Sequence, residues 1–400
     1  MNGPMPDEFS RLVGKKGALF SSIELSRYIE EEERHDHKLL TAHTTQSLRS
    51  MSSGERKKAL LSYLVASRPD FLLLDNPFDN LDRGSQESLR EMLHKLARTT
   101  CLILVISRKD DLIPEITNYA ILKGNELLML PQLEQPEKYR QGAARYFSGR
   151  LPAPPEPVSF RADPFIEFRN VSVAFDGKPV LKQINWKIRP NEYWELKGKN
   201  GSGKTTLLSM ITGDNPKGYG QELYIFGNRK GSGESVWDIK KHIGYFSPAM
   251  IDRFRGYHSL ENMLISGLTD SIGLYVLPTE AQIRMAREWL KLLGLETYAA
   301  SYFHDLGLGM QRLVMCGRAM IKHPPLLILD EPTAGLDDES AVLFVSLVNK
   351  IARESESSII FVSHRQEAGL EPDAVYELEM TPEGSVGHQT FLNKNPEKNE

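Results

Sequence analysis

Nine consecutive residues carry the strongest chemical signal in this sequence: Gly198, Lys199, Asn200, Gly201, Ser202, Gly203, Lys204, Thr205 and Thr206. Their spacing is that of a phosphate-binding loop. The context fits too, with a strand-like Tyr193 to Leu196 before it and a helix-like Leu207 to Ile211 after it. Glycines let consecutive backbone N–H groups turn inward around phosphate oxygens. The following helix brings its positive N-terminal end to the same point. Lys204 would add a point charge between β- and γ-phosphates, and Thr205 a hydroxyl toward Mg²⁺. A Gly-rich turn with a chance lysine is the plain alternative, and a second motif weighs against it.

That motif is Leu326-Leu-Ile-Leu-Asp330-Glu331. Four apolar residues predict a buried strand. The two carboxylates then emerge at its C-terminal edge, where open α/β sheets bind ligands. Asp330 can hold Mg²⁺ through water, and Glu331 can polarise an attacking water. Alone, the stretch reads as a strand and an acidic turn; after a phosphate loop it reads as chemistry. Val362-Ser-His364-Arg365 adds a histidine 34 positions beyond Asp330, at the end of another apolar strand.

Such groups need strands that end together, and the chain contains two sets of them. Met51-Ser-Ser-Gly-Glu55, Phe71-Leu-Leu-Leu-Asp75 and Asn80-Leu-Asp82 form the first. Leu306-Gly-Leu-Gly-Met310, Leu326-Leu-Ile-Leu-Asp330 and Gly335-Leu-Asp337 form the second. From Met51 to Asp75, as from Leu306 to Asp330, is 24 positions, and the next step is 7 in both. A helix-like stretch and a buried strand follow each set, Leu102 to Ile106 and Ile359 to Val362. An ungapped match of this length marks two copies of one domain type. Residues 131–163, with Pro152, Pro154, Pro155 and Pro157, predict an extended linker. Residues 383–400 predict a flexible tail. Apolar runs alternating with amphipathic stretches predict a mainly parallel α/β sheet. In one helix Thr279 and Gln282 make a capping box, Ala286, Trp289, Leu290 and Leu293 the apolar face, and Gly294 the stop.

Composition narrows the classes. The 400 residues carry 49 Lys+Arg against 53 Asp+Glu, a net charge of −4, and 40% are hydrophobic. That suffices for a core in two domains or one large one. Neither a basic excess for nucleic acid nor an acidic block for disorder is present. No apolar run approaches the roughly 20 residues that span a bilayer, and Met1 to Phe9 lacks a signal pattern. Two cysteines, Cys101 and Cys316, rule out a disulfide scaffold or a cysteine zinc site. Both sit among apolar neighbours and are expected to be buried free thiols in a reducing cytoplasm.

The order of phosphate loop, Gly-rich signature, Asp-Glu, Gly-Leu-Asp and Val-Ser-His-Arg resembles the ATP-binding cassette (ABC) ATPases. The resemblance covers residues 165–380 and, in part, 15–130. Gly231 to Tyr245 and Ile211 to Tyr219 are similar to the tandem ModF, or photorepair-type, subgroup. It implies an α/β fold with two nucleotide-binding domains of the P-loop NTPase class, each with a helical subdomain. These would be residues 1–130, incomplete, and 164–382. It further implies ATP and Mg²⁺ as ligands, with Thr205 and Asp330 toward the metal and Lys204, Glu331 and His364 toward catalysis. Gly198, Asn200, Gly201, Ser202, Gly203, Lys204, Thr205 and Thr206 would surround the phosphates. Phe175 matches the aromatic that stacks on adenine; a core strand phenylalanine is the lesser alternative, since the residue fits both roles. In this family domains pair head to tail, with ATP between the phosphate loop of one and the signature of the other. Ser52, Gly54 and Glu55 would supply the signature of the first copy. Ser52 would bond a γ-phosphate oxygen, and the helix after Glu55 would aim its dipole there.

The departures are informative. The first copy shows no phosphate loop ahead of its signature, and has Asn76 for Glu331 and Ser107 for His364. In the second copy Gly307 replaces the signature serine, and Leu308 stands where backbone must approach. The losses are complementary across a head-to-tail pair, within one chain or between two. They predict one competent composite site and one dead one. A truncated start and a natural loss explain the missing front equally. Pro248 stands where the family usually has glutamine, which weakens coupling to a membrane partner. The expected activity is that of an ATPase serving a separate membrane permease subunit, in the cytoplasm or peripherally at the inner face of the plasma membrane. The alternative is a regulatory or repair-associated ATP switch. A translation role is disfavoured by the Pro-rich linker and near-neutral charge, and no nucleic-acid partner is expected.

Overall fold

Both aspartate-terminated apolar runs are the inner strands of parallel sheets. The computed structural model describes residues 7–42, 46–123, 126–131, 147, 149–155, 162–254, 256–274 and 276–392. The chain divides into two units, Met1–Glu137 and Lys138–Glu400. No helix among the described residues is long and apolar enough to cross a membrane.

In the first unit β1 (Gly17–Phe20), α1 (Ser22–His35), α2 (Ser53–Ala66), β2 (Phe71–Asp75), α3 (Arg83–Leu96) and β3 (Cys101–Val105) precede a hairpin. The hairpin comprises β4 (Tyr119–Lys123) and β5 (Glu126–Leu130). β1, β2 and β3 form a parallel sheet in that order. Leu72 and Leu74 are buried against Leu60, Leu61, Leu89 and Leu93, while Phe71 and Leu73 are half-buried. One face of the sheet is thus well covered and the other only partly. β3, expected to be buried, is exposed at both ends, and Cys101 is exposed rather than buried. The reason is position: among the described residues β3 pairs on one side only, with β2.

In the second unit β6 (Ile166–Phe175) and β7 (Lys178–Ile188) form an antiparallel pair. β8 (Tyr193–Gly198) leads into α4 (Lys204–Ile211). β9 (Leu223–Ile225) and β10 (Asn228–Arg229) extend the antiparallel sheet, and α5 (Val236–Lys241) follows. Then come β11 (Ile243–Phe246), α6 (Leu260–Ile265), α7 (Glu280–Leu292), α8 (Leu308–Met320), β12 (Leu326–Asp330), α9 (Asp338–Glu354), β13 (Ser358–Val362), β14 (Ala374–Glu379) and β15 (Val386–Phe391). The main sheet runs β11-β12-β13-β8-β14-β15, parallel except for β15. Alternate side chains serve two cores. Leu327, Leu329, Ile359 and Phe361 pack with the helical region; Leu326, Ile328, Ile360 and Val362 pack with α4 and the antiparallel sheet. Burial on both faces accounts for an unbroken apolar run where one-sided burial would alternate.

The capping box on α7 forms as read: Gln282 N–H donates to Thr279 Oγ1 at 3.3 Å, and Thr279 N–H to Gln282 Oε1 at 2.9 Å. Ala286, Trp289, Leu290 and Leu293 are buried. Gly294 has φ 69°, the left-handed stop.

Two expectations need correction. The residues 383–400 read as a tail include β15, held by main-chain pairing to β14 and by the Phe391 ring, which packs edge-on against Trp194. Residues 393–400 lie outside the described residues. Described parts of the stretch 131–163 are docked: Phe147 is buried, Leu151 packs on the helical core, and Leu151 N–H donates to Glu354 Oε2 at 3.2 Å. Pro157 and most of that stretch lie outside the described residues. In chain order, the described helix α1 of the first unit stands where the second unit has α6 and α7.

Backbone detail follows the repeat closely. Asn76 and Glu331 are both left-handed, at φ 42° and 52°, and their N–H groups donate to Val105 O at 2.8 Å and Val362 O at 3.0 Å. Asp82 caps α3 through Ser85 N–H, and Asp337 caps α9 through Ser340 N–H. A Cβ at Gly54 would lie 2.6 Å from Ser85 Oγ, and one at Gly309 2.4 Å from Ser340 Oγ. Both glycines are required because the signature helix crosses close to the next helix start.

Candidate functional site

β8 is the axis of the site. It lies between β13 and β14, with Tyr193 to Glu195 and Leu196 buried, so its C-terminal end is rigidly placed. The loop that follows turns on Gly198, Gly201 and Gly203, at φ 152°, 79° and 95°. A Cβ on Gly203 would meet Leu181 Cδ2 at 2.6 Å, so β7 backs the loop directly. Ser202 is fully buried, and its hydroxyl has no hydrogen-bond partner. Lys204 opens α4 and is 6% exposed; its ammonium donates to Gly198 O at 2.7 Å and Lys199 O at 3.0 Å. Thr205 is exposed and Thr206 half-buried.

An orphaned buried hydroxyl on a loop that turns at three glycines, with an ammonium folded over the loop's own carbonyls at a helix start, has the donors of an anion cradle. The residues fit a polyphosphate. They also fit a divalent ion shared with it, since Thr205 and Asp330 offer only oxygen. Among the described residues no cluster of three or more His, Cys, Asp or Glu could hold a metal alone. Magnesium retains water and substrate oxygens and needs few protein ligands.

Asp330 ends β12, in register with Val362 of β13. Burial pushes its carboxyl up from the ordinary value. A hydrogen bond from Tyr245 and the charges of Lys204 and His364 oppose that rise, while Glu331 adds to it. The Tyr245 hydroxyl donates to Asp330 Oδ2 at 2.9 Å. Glu331 sits next in the chain in its left-handed conformation, which costs a non-glycine residue energy and collects at functional sites. Its Oε1 contacts His364 Nε2. The other ring nitrogen, Nδ1, is buried without a hydrogen-bond partner.

The structure therefore brings Lys204, Asp330, Glu331 and His364 to one sheet edge. Phe175 lies at the tip of the β6–β7 hairpin, 38% exposed, with Lys217 Nζ 5.7 Å from its ring centroid. It is not a core residue, so the core alternative fails. Pro248 opens a short 3-10 turn, Pro248–Arg253. The turn borders a cavity of about 720 Å³ whose lining includes Thr205, Tyr245, Ser247, Arg253 and Arg318.

In the first unit Ser52 is the N-cap of α2, which starts at Ser53 rather than after Glu55. Glu55 N–H donates to Ser52 Oγ at 3.3 Å, and Ser52 N–H and Oγ–H donate to Glu55 Oε2 at 2.8 Å each. Gly54 is buried. In the second unit Gly307 caps α8 with no side-chain bond, and Leu308 is 41% exposed. Asn76 turns inward locally: its amide donates to Asp75 Oδ1 at 3.3 Å and its Oδ1 accepts from Ser107 N–H at 2.9 Å.

Two contributors escaped the sequence. Tyr245 lies inside a quoted motif but reads as a strand aromatic. Glu367, 6% exposed, accepts from Thr333 Oγ1 at 2.6 Å and from Ser363 Oγ at 3.3 Å, tying the loop after Glu331 to the residue before His364. Its three-residue separation from His364 was the available signal.

A family model described as ABC transporter matches residues 181–334. The chain is 38% identical over 367 residues to the ABC transporter ATP-binding protein ModF of Escherichia coli, covering 87% of this chain and 73% of that protein. It is 31% identical over 330 residues to an uncharacterized ABC transporter ATP-binding protein of Schizosaccharomyces pombe, covering 80% of this chain and 66% of that one. It is 34% identical over 203 residues to the uncharacterized ABC transporter ATP-binding protein YlmA of Bacillus subtilis, covering 50% and 76%.

Proposed function

Because the chain belongs to the ATP-binding cassette family of ATPases, we propose that it hydrolyses ATP at one composite site. That site joins the phosphate loop of the second unit to the signature of the first, paired head to tail within one chain or between two. One observation carries the reading: the substitutions in the two units are complementary. The second has the loop, Asp330, Glu331 and His364 but Gly307 and Leu308 at its signature. The first has the capped Ser52 with Asn76 and Ser107 behind it. Unrelated decay would not spare complementary halves.

In this reading the loop amides and Ser202 Oγ–H take the β-phosphate oxygens, and the Lys204 ammonium leaves its two carbonyls for the phosphates. Thr205 and Asp330 hold Mg²⁺, which neutralises charge on the transferred phosphoryl group. Glu331 accepts a hydrogen bond from the attacking water and aims it at the γ-phosphate. His364 holds Glu331 on one ring edge. Ser52 donates to a γ-phosphate oxygen from the opposite side, and Phe175 stacks on adenine. Positioning and charge neutralisation supply most of the rate.

Cytoplasmic work energising a separate membrane permease is the use that fits the ATP-binding protein of a transport system. Pro248 favours a second use, an ATP-controlled switch with slow turnover, because proline carries no amide to relay contact to a permease. ATPase assays decide the first point. Lys204→Ala and Glu331→Gln should fall to background, and Ser52→Arg should do the same while leaving ATP binding to the second unit intact. Unchanged turnover in Ser52→Arg would sink the composite site. Affinity purification with Glu331→Gln then reads out the partner: a membrane protein supports transport, and its absence from a nucleotide-dependent complex supports the switch.

A further inference from the structure

Tyr245, at the end of the stretch Gly231 to Tyr245, touches the acidic end of the site. It stands on β11, two positions before Ser247, and its ring reaches across β12 so that the hydroxyl meets Asp330 Oδ2 at 2.9 Å. It also lines the cavity that Thr205 lines, so β11 and α4 bring a phenol hydroxyl and a threonine to one cavity. A buried carboxylate with two free rotamers would aim poorly. One oxygen pinned by a tyrosine leaves the other, Oδ1, in a fixed direction.

The repeat supplies an internal control. β1 pairs with β2 in the register in which β11 pairs with β12, so Leu19 occupies the place of Tyr245 beside Asp75. Leu19 has no hydroxyl and is 41% exposed, and Asp75 takes instead the local amide of Asn76. The unit that keeps Glu331 and His364 keeps the tyrosine; the unit that lost both partners lacks it. A purely structural strand aromatic would not be expected to track the acidic residues this way.

We propose that Tyr245 is a positioning residue for the divalent ion: its hydroxyl occupies Asp330 Oδ2 and presents Oδ1 toward Thr205. This rests on the ATPase reading of the site. Tyr245→Phe removes only the hydroxyl and keeps the ring in the sheet. The test is Mn²⁺ binding followed by electron paramagnetic resonance, on the full chain with a non-hydrolysable ATP analogue, beside the Mg²⁺ dependence of turnover. Analogue affinity without metal should be unchanged. The Mn²⁺ dissociation constant and the half-saturating Mg²⁺ should both rise roughly tenfold or more, the scale of one hydrogen bond to a charged group. In an Asp330→Asn background the same substitution should add nothing. Should Tyr245→Phe lower the melting temperature but leave metal affinity at the wild-type value, Tyr245 is a packing residue and the proposal falls. If the wild-type chain takes up no analogue at all, the ATPase reading falls and takes this proposal with it.

Discussion

Replacing Ser52 by alanine removes one oxygen and separates two roles that the residue combines. In the free unit, Ser52 Oγ accepts from Glu55 N–H at 3.3 Å and donates to Glu55 Oε2 at 2.8 Å. The backbone half of the box, Ser52 N–H to Glu55 Oε2, survives the change. Losing an N-cap side chain costs about 1 kcal/mol. Because α2 carries Leu60 and Leu61 into the small core, that loss should lower the melting temperature of the first unit by roughly 3–4 °C. Glu55 makes this loss depend on pH. The Ser52 backbone and side-chain bonds hold its carboxyl below the ordinary value. Its stabilisation is therefore present above the unfolded value and is lost as pH falls through the folded one. The gap between wild type and Ser52→Ala should be widest near neutral pH and close in acid. Turnover behaves differently if Ser52 also meets the γ-phosphate. A hydrogen bond to a charged group is worth about 1.5–3 kcal/mol, so turnover at saturating ATP should fall about 10- to 150-fold. Thr279→Ala is the control, since it breaks an equivalent box on α7. It should cost similar stability and no turnover. Phosphate release and differential scanning calorimetry on the same samples give both readouts. Ser52→Ala that loses stability and keeps full turnover refutes the shared site.

Gly203→Ala places a Cβ 2.6 Å from Leu181 Cδ2 at a φ of 95°, so fluorescent ATP-analogue binding should weaken by more than tenfold while far-UV circular dichroism is preserved. Glu195 is buried and paired with Lys197, and burial pushes its carboxyl up against the opposing pull of that lysine. The folded chain therefore holds this proton more tightly than the unfolded one and loses stability as pH rises past the unfolded value. Glu195→Gln should raise urea-unfolding stability at pH 7 and change nothing near pH 4. Cys101 is exposed, while burial pushes the Cys316 thiol up to about 12. Native labelling with a disulfide reagent should modify Cys101 within minutes and Cys316 only after denaturation; mass spectrometry of both peptides checks this.

The phosphate loop was legible because its glycines answer a backbone demand that no other residue meets. The repeat was legible because its motifs keep fixed intervals, and those intervals return as matched left-handed residues at Asn76 and Glu331. Thr279 and Gln282 read out directly because a capping box is a local device. Nonlocal facts were hidden. Cys101 sits in the same kind of apolar run as Ser358 to Val362, and only the number of neighbouring strands makes one wet and the other dry. β15 was hidden because its middle residues, Gly387 to Thr390, carry no apolar run and main-chain pairing does much of the holding. Tyr245 reads as core from periodicity alone, since the pattern records which face a ring occupies and not what its hydroxyl touches.

The one-sided cover of the β1–β2–β3 sheet makes the chain thermally uneven. β13 has a strand on each flank, so its amides should exchange with solvent only when the whole second unit opens. β3 has one flank paired among the described residues and lies over the smaller core, so its amides should exchange through local opening. A ligand that binds only the closed pair adds about 2.7 kcal/mol at a hundred times its dissociation constant. That increment would fall on the weaker half. Were ATP bound by both units as proposed, it would stabilise the first unit most: with nucleotide scarce the signature would loosen first, and turnover would stop before the catalytic sheet opened.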